Sequence, residues 1–244
     1  MNQTSVTVGP NRTGIGMSPM DSKELIAGAN AGVPSSPGDD QDLMPTRYEY
    51  GTEGERIGSV PPPATMKGAA SAVVKGIKGE RLTVFLDKLA ERAAFERTGT
   101  RLYEGLLVKF QEAGSQAGGP TLADLREIHD DELAHFHLVA RAIEGLGADP
   151  TAQTPSADIV GVMGLGLVQV VSDPRTTFLQ ALQAMLIAEL TDTAGWALLV
   201  NLARSADEEE LALQFEAARL AEERHLGRVR AWVEALTLAE ATMP

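Results

Sequence analysis

The chain has 244 residues, 21 basic and 34 acidic side chains, four His and no Cys, for a formal net charge of −13. Without Cys there is no disulfide framework, thiolate zinc site, iron–sulfur cluster or thiol nucleophile. An acidic chain with no Lys/Arg run is also a poor partner for nucleic-acid phosphate, while 43% apolar residues is ample for a packed core.

Residues 1–80 hold 12 of the 24 Gly and 8 of the 13 Pro. A segment so rich in breakers buries too little apolar surface to offset chain entropy, so an extended, mostly irregular arm is expected. One short helix is expected at Ser22–Ala29, with Asp21 as N-cap and Glu24 three residues later. The opening MNQTSVTVGPNRTGIG has no basic stretch followed by an apolar run, so no signal peptide is read there. The arm reads as a flexible tail, or as an element that wraps a partner subunit or docks in a host shell.

From residue 81 the pattern is helical, with four long amphipathic segments at about 82–113, 121–146, 175–204 and 207–238. Gly114 to Pro120, Gly147 to Pro155 and Ser205-Ala206-Asp207 separate them. The last break is short, which makes the third and fourth helices antiparallel neighbours. The stretch between the second and third includes the uncharged Ile159–Val171 and is long enough to cross the length of a helical bundle. At 13 residues that apolar piece falls short of the roughly 20 a bilayer span needs, so a soluble, cytoplasmic protein is expected. The piece reads as a short apolar helix on the bundle or at a subunit contact.

A core-facing helical stripe recurs at spacings of three and four. The first helix gives Leu82, Phe85, Leu89, Ala93, Glu96, Thr100, Tyr103, Leu107 and Phe110. The second gives Leu125, Ile128, Glu132, His135, Val139, Ala142 and Leu146. The third gives Phe178, Leu182, Met185, Glu189, Asp192, Trp196, Leu199 and Ala203. The fourth gives Leu211, Phe215, Ala218, Glu222, His225, Val229, Trp232 and Leu236. Each stripe is apolar except near its middle, where carboxylates interrupt it, and these middles contain no Arg or Lys.

An ionised Glu inside a bundle costs several kcal/mol unless it is paired or binds a metal. Four at one depth repel one another, and two divalent ions cancel their charge. The i, i+3 spacing of Glu132 to His135 and of Glu222 to His225 puts each pair on one helix face. The intervals Glu96–Glu132 and Glu189–Glu222 are 36 and 33 residues, as expected for two related helical hairpins.

On these residues the sequence resembles the ferritin-like di-iron carboxylate superfamily, whose sites take one Glu from each of two helices and Glu-x-x-His from each of the other two. The resemblance spans about residues 82–238. It implies an all-α, ferritin-like four-helix bundle over residues 81–244 with a long crossover between its second and third helices. It implies two Fe, or alternatively two Mn, held by Glu96, Glu132, His135, Glu189, Glu222 and His225, which would also carry the catalysis. Glu132 and Glu222 would bridge the ions, and Glu96 and Glu189 would be terminal. Asp131 would accept from His225, leaving Asp192 for His135.

The function implied is oxidation of Fe(II) with O2 or H2O2, for iron handling or peroxide defence, in a homo-oligomer. One alternative is a small-molecule redox enzyme of peroxidase, manganese catalase or hydroxylase type. Another is a metal-free interaction protein acting through its arm. The two-domain rubrerythrin pattern is excluded, because its second iron needs Cys. Tyr103, Trp196 and Trp232 read as core, His129, His137 and Glu223 as surface. The run Asp207-Glu208-Glu209-Glu210 reads as an acidic first helical turn.

Overall fold

The computed structural model describes residues 18–32, 40–62 and 80–242. Among them lie seven helices and no strand: α1 Pro19–Ala31, α2 Asp40–Glu53, α3 Glu80–Ala113, α4 Leu122–Gly145, α5 Pro155–Ser172, α6 Phe178–Ser205 and α7 Glu209–Ala241. The chain divides into two units, Met1–Ile57 and Gly58–Pro244.

The described residues of the first unit hold two helices, of which the first contains the short helix expected at Ser22–Ala29. α1 starts two residues before Asp21, with Pro at its first position, where a missing N–H costs nothing. α2 runs through Pro45 and matches no expected element. Composition hid it, because breakers averaged over residues 1–80 say little about a stretch such as Asp42–Tyr50, whose one breaker is Pro45. Much of the Gly- and Pro-rich stretch, residues 1–17, 33–39 and 63–79, lies outside the described residues, and with it the opening MNQTSVTVGPNRTGIG.

In the second unit two of the four long helices start where side chains satisfy their terminal backbone groups. Thr121 caps α4, its hydroxyl accepting from Asp124 N while the Asp124 carboxylate accepts from Thr121 N. Thr177 and Gln180 do the same for α6, which explains a start three residues later than the sequence pattern alone predicts. Asp207 adopts a φ of 58°, the left-handed turn that ends α6 and delays α7 to Glu209.

α3 packs on α4 and α6, and α7 on α4 and α6, so the four close into a ring. Two apolar clusters fill it. Near one end Phe85, Leu89, Val139, Trp196, Leu199 and Phe215 pack together. Near the other are Leu106, Leu125, Ile128, Leu182, Met185 and Val229. Between them lies a polar layer.

α5 is the crossover, and it runs parallel to α3. At its start Asp87 accepts from Ser156 N (3.0 Å) and Ser156 Oγ (2.6 Å). Beyond its end Lys109 Nζ donates to the carbonyls of Asp173 (2.8 Å) and Thr176 (2.7 Å). The chain thus returns to the end where α4 began, and α6 descends antiparallel to α3. By length and composition α5 and α6 are both apolar enough to cross a membrane. α6, however, carries Glu189 and Asp192 on its buried face.

Candidate metal centre

Glu96, Glu132, Glu189, Asp192 and Glu222, from four helices, are each no more than 2% exposed. They meet in the polar layer together with His135 and His225. Ligand atoms of Glu132, Glu189, Glu222 and His225 lie within 4.8 Å of one another, as do those of Glu96, His135 and Glu222, and those of Glu96, Glu132 and Asp192. Glu132 and Glu222 recur on both sides, which is where a carboxylate shared by two ions would stand.

Local contacts hold each group. His225 Nδ1 lies 3.1 Å from Glu222 Oε2, and its Nε2 lies 3.0 Å from Asp131 Oδ2. The Asp131–His225 contact expected from the sequence is therefore present. His135 Nδ1 faces Glu222 Oε1 across 2.6 Å and Glu96 Oε2 across 3.9 Å, and its ring meets Trp196 edge-on at 5.3 Å. Gly99 makes room for Glu132: a Cβ there would stand 2.1 Å from Glu132 Oε2.

Three readings of the sequence need correction. The polar layer does contain a cation. Arg92, 3% exposed, bonds through Nη1 to the Asp192 carboxylate and to the Asp192 carbonyl (3.2 Å), and stands 3.6 Å from Glu96 Oε1. Asp192 is thereby engaged by Arg92 rather than serving His135. Tyr103 is buried as expected, but it is more than core filling, since its hydroxyl donates to Glu189 Oε1.

A signal for Arg92 was present in its spacing, four residues before Glu96 on the same face. What hid it was Gly195 on the opposing helix, whose missing side chain admits the guanidinium. A Cβ there would come within 2.7 Å of Arg92 Cζ. His129 is partly buried beside Glu104 and Asp130, while His137 and Glu223 are exposed as expected.

Five carboxylate oxygens, Glu96 Oε1 and Oε2, Glu132 Oε2, Glu189 Oε2 and Glu222 Oε1, have no hydrogen bond of good geometry among the described residues. The consequence is electrostatic. Burial, reinforced by neighbouring carboxylates, pushes Glu96, Glu132 and Glu189 well above the usual carboxylate range. Burial raises Asp192 to about 7, although Arg92 opposes the rise. Burial also acts upward on Glu222, but bonds from His135 and His225 outweigh it and hold that group at about 2. Burial acts downward on His225, but Glu222, with Glu189 and Asp131, outweighs it and lifts that imidazole to about 9.

Carboxylates and imidazoles grouped in this way could hold a metal ion. Without cations the layer holds its charge down by keeping protons. Comparison with known proteins adds no relative: no protein-family model, no curated protein and no solved structure matches the chain.

Proposed function

We propose that the polar layer is a dinuclear metal site in a ferritin-like four-helix bundle formed by α3, α4, α6 and α7, and that the protein oxidises Fe(II) with O2 or H2O2. Iron handling or peroxide defence is the role this chemistry serves. The observation that carries the reading is an excess of buried carboxylates: five against one guanidinium, enclosed between two apolar clusters, with oxygens left unbonded. Fully ionised, with both imidazoles neutral, the layer carries four negative charges, which two divalent ions cancel. The order of ligands along the chain supports it, with lone Glu on α3 and α6, Glu-x-x-His on α4 and α7, and α5 as the crossover.

Glu132, Glu189, Glu222 and His225 would hold one ion. Glu96 and His135, sharing Glu132 and Glu222, would hold the other. Bound iron supplies one-electron steps toward the oxidant. The chain's own residues do the rest. Asp131, by accepting from His225 Nε2–H, leaves the Nδ1 lone pair facing the layer. Tyr103 fixes the orientation of Glu189. The apolar clusters on either side keep water from the layer. With no Cys for an internal electron relay, the electrons come from Fe(II) itself or from a separate reductase.

The test is to supply the anaerobic protein with two equivalents of Fe(II) and then O2 or H2O2 in separate runs. Absorbance from Fe(III) should appear faster than in buffer with one of them, and Glu132→Ala or Glu222→Ala should abolish the acceleration. A folded wild-type chain that accelerates neither reaction would overturn the reading. The Arg92–Asp192 pair favours a second reading, a metal-free buried ion-pair network. Failure to take up any divalent ion would select that one.

A further inference from the structure

The helix α5 is apolar on almost every side, yet it buries only the stripe Ala157, Val160, Gly164 and Val171, with Leu167 partly covered. Its remaining large side chains stand in solvent: Ile159 is 45% exposed, Val162 64%, Met163 62%, Leu165 56%, Val168 38% and Val170 36%. Together these put roughly 500 Å2 of apolar side chain in water, toward the upper end of the largest patch an ordinary monomer shows. A helix hydrophobic all round is normally covered all round. None of these residues belongs to the metal centre, so a role for this face is independent of that site.

We propose that this face of α5 is the contact between two copies of the chain, related by a twofold axis that crosses the helix near Gly166. Mated with itself, such a patch buries on the order of 1,000 Å2 in total, the lower bound for a specific interface. Charge placement agrees with a twofold. Asp158, exposed in the first turn of α5, and Arg175, exposed just beyond its end and paired with Asp173, stand in the sequence at nearly equal separations before and after Gly166. An antiparallel pairing brings Asp158 of one copy toward Arg175 of the other at both ends. At the crossing point a Cβ added at Gly166 would meet nothing within 4 Å, so no side chain of this copy stands between its backbone and a partner there.

A membrane surface fits less well. Helices that lie in the lipid interface carry Lys/Arg on their polar face and an aromatic wedge on the other. α5 has no Lys, Arg or aromatic residue, and its one charged residue is Asp158. A chain of net charge −13 is also repelled by anionic lipid.

Sedimentation of the full chain at micromolar concentration should give twice the monomer mass of 25.9 kDa. The double variant Val162→Glu, Met163→Glu should weaken self-association ~100-fold or more, whereas Leu213→Glu, at a 70% exposed site on α7, should leave it unchanged. Because the chain has no Cys, Gly166→Cys introduces a single thiol. Mild oxidation should join two copies through it, and a thiol at position 213 should not cross-link. A monomeric wild-type chain would overturn the proposal. So would an assembly indifferent to the double variant with no cross-link through Gly166→Cys, or a monomer that floats with phosphatidylcholine vesicles.

Discussion

Arg92 shows how much one side chain changes the electrostatics of a buried layer. Its guanidinium stands over the Phe95 ring at 4.5 Å and engages Asp192, and the neighbouring carboxylates outweigh burial to raise its own affinity for a proton. Removing one partner of a buried pair leaves the other uncompensated. Arg92→Met should therefore destabilise the metal-free protein by about 3 kcal/mol in urea denaturation, and adding Asp192→Leu should recover most of the loss. Loss of the same size in the double variant would mean that packing, not pairing, matters at Arg92. Asp131 sits farther out, its side chain 41% exposed, and reaches the layer through His225. Asp131→Ala should weaken metal binding about 10–100-fold with little change in metal-free stability, measurable by competition with a chelator. The six residues Glu96, Glu132, His135, Glu189, Glu222 and His225 were legible because a charge interrupting an apolar stripe is conspicuous. Arg92 was not, because its place depends on a vacancy at Gly195 in a helix about 100 residues away.

At the scale of elements, the four long helices were legible because their apolar positions keep a helical period turn after turn. Their ends were less so, since a cap is a contact and not a periodicity. Thr177 is an example. Its hydroxyl accepts from Gln180 N, and Gln180 answers by accepting from Thr177 N. Thr177→Ala should cost about 1 kcal/mol and fray the first turn of α6, detectable as faster amide exchange at residues 178–181. Unchanged exchange there would mean that Lys109, which holds the preceding carbonyl of Thr176, already fixes the turn. Helix α2 stayed hidden for a different reason. Pro45 marks a break in any reading of local propensity, since past the first turn a Pro forfeits a backbone hydrogen bond and crowds the carbonyl four residues before it, yet α2 runs through it.

Across the whole molecule the layer behaves as one titrating unit, and the sign of its pH dependence is set by the direction of each shift. Asp192 ordinarily titrates near 3.8 and in the folded chain near 7, so its proton stabilises the fold below about pH 4 and that contribution is lost as pH rises to 7. Glu96, Glu132 and Glu189 shift the same way. His225, moved from 6.5 to about 9, contributes fully below 6.5 and loses its contribution as pH rises through 9. Glu222, moved from 4.5 to about 2, opposes them only in acid, its contribution being lost as pH falls below 4.5. The metal-free protein should accordingly melt at progressively lower temperature from about pH 5 to about pH 9, by calorimetry after chelation. Bound divalent ions take over from those protons, so the rise in melting temperature on metal addition should grow over the same range. A metal-free melting temperature that is flat or rising there would show that the carboxylates do not share one enclosed space.

The most direct test of the charge argument is anaerobic titration of the chelated protein with Fe(II) or Mn(II), followed by calorimetry and by metal analysis of the dialysed product. The expected result is two ions per chain, release of protons on binding, and loss of at least one ion in Glu222→Ala, since that carboxylate faces both imidazoles. A folded wild-type chain that retains no metal, or one whose stoichiometry is unchanged by Glu222→Ala, would contradict it.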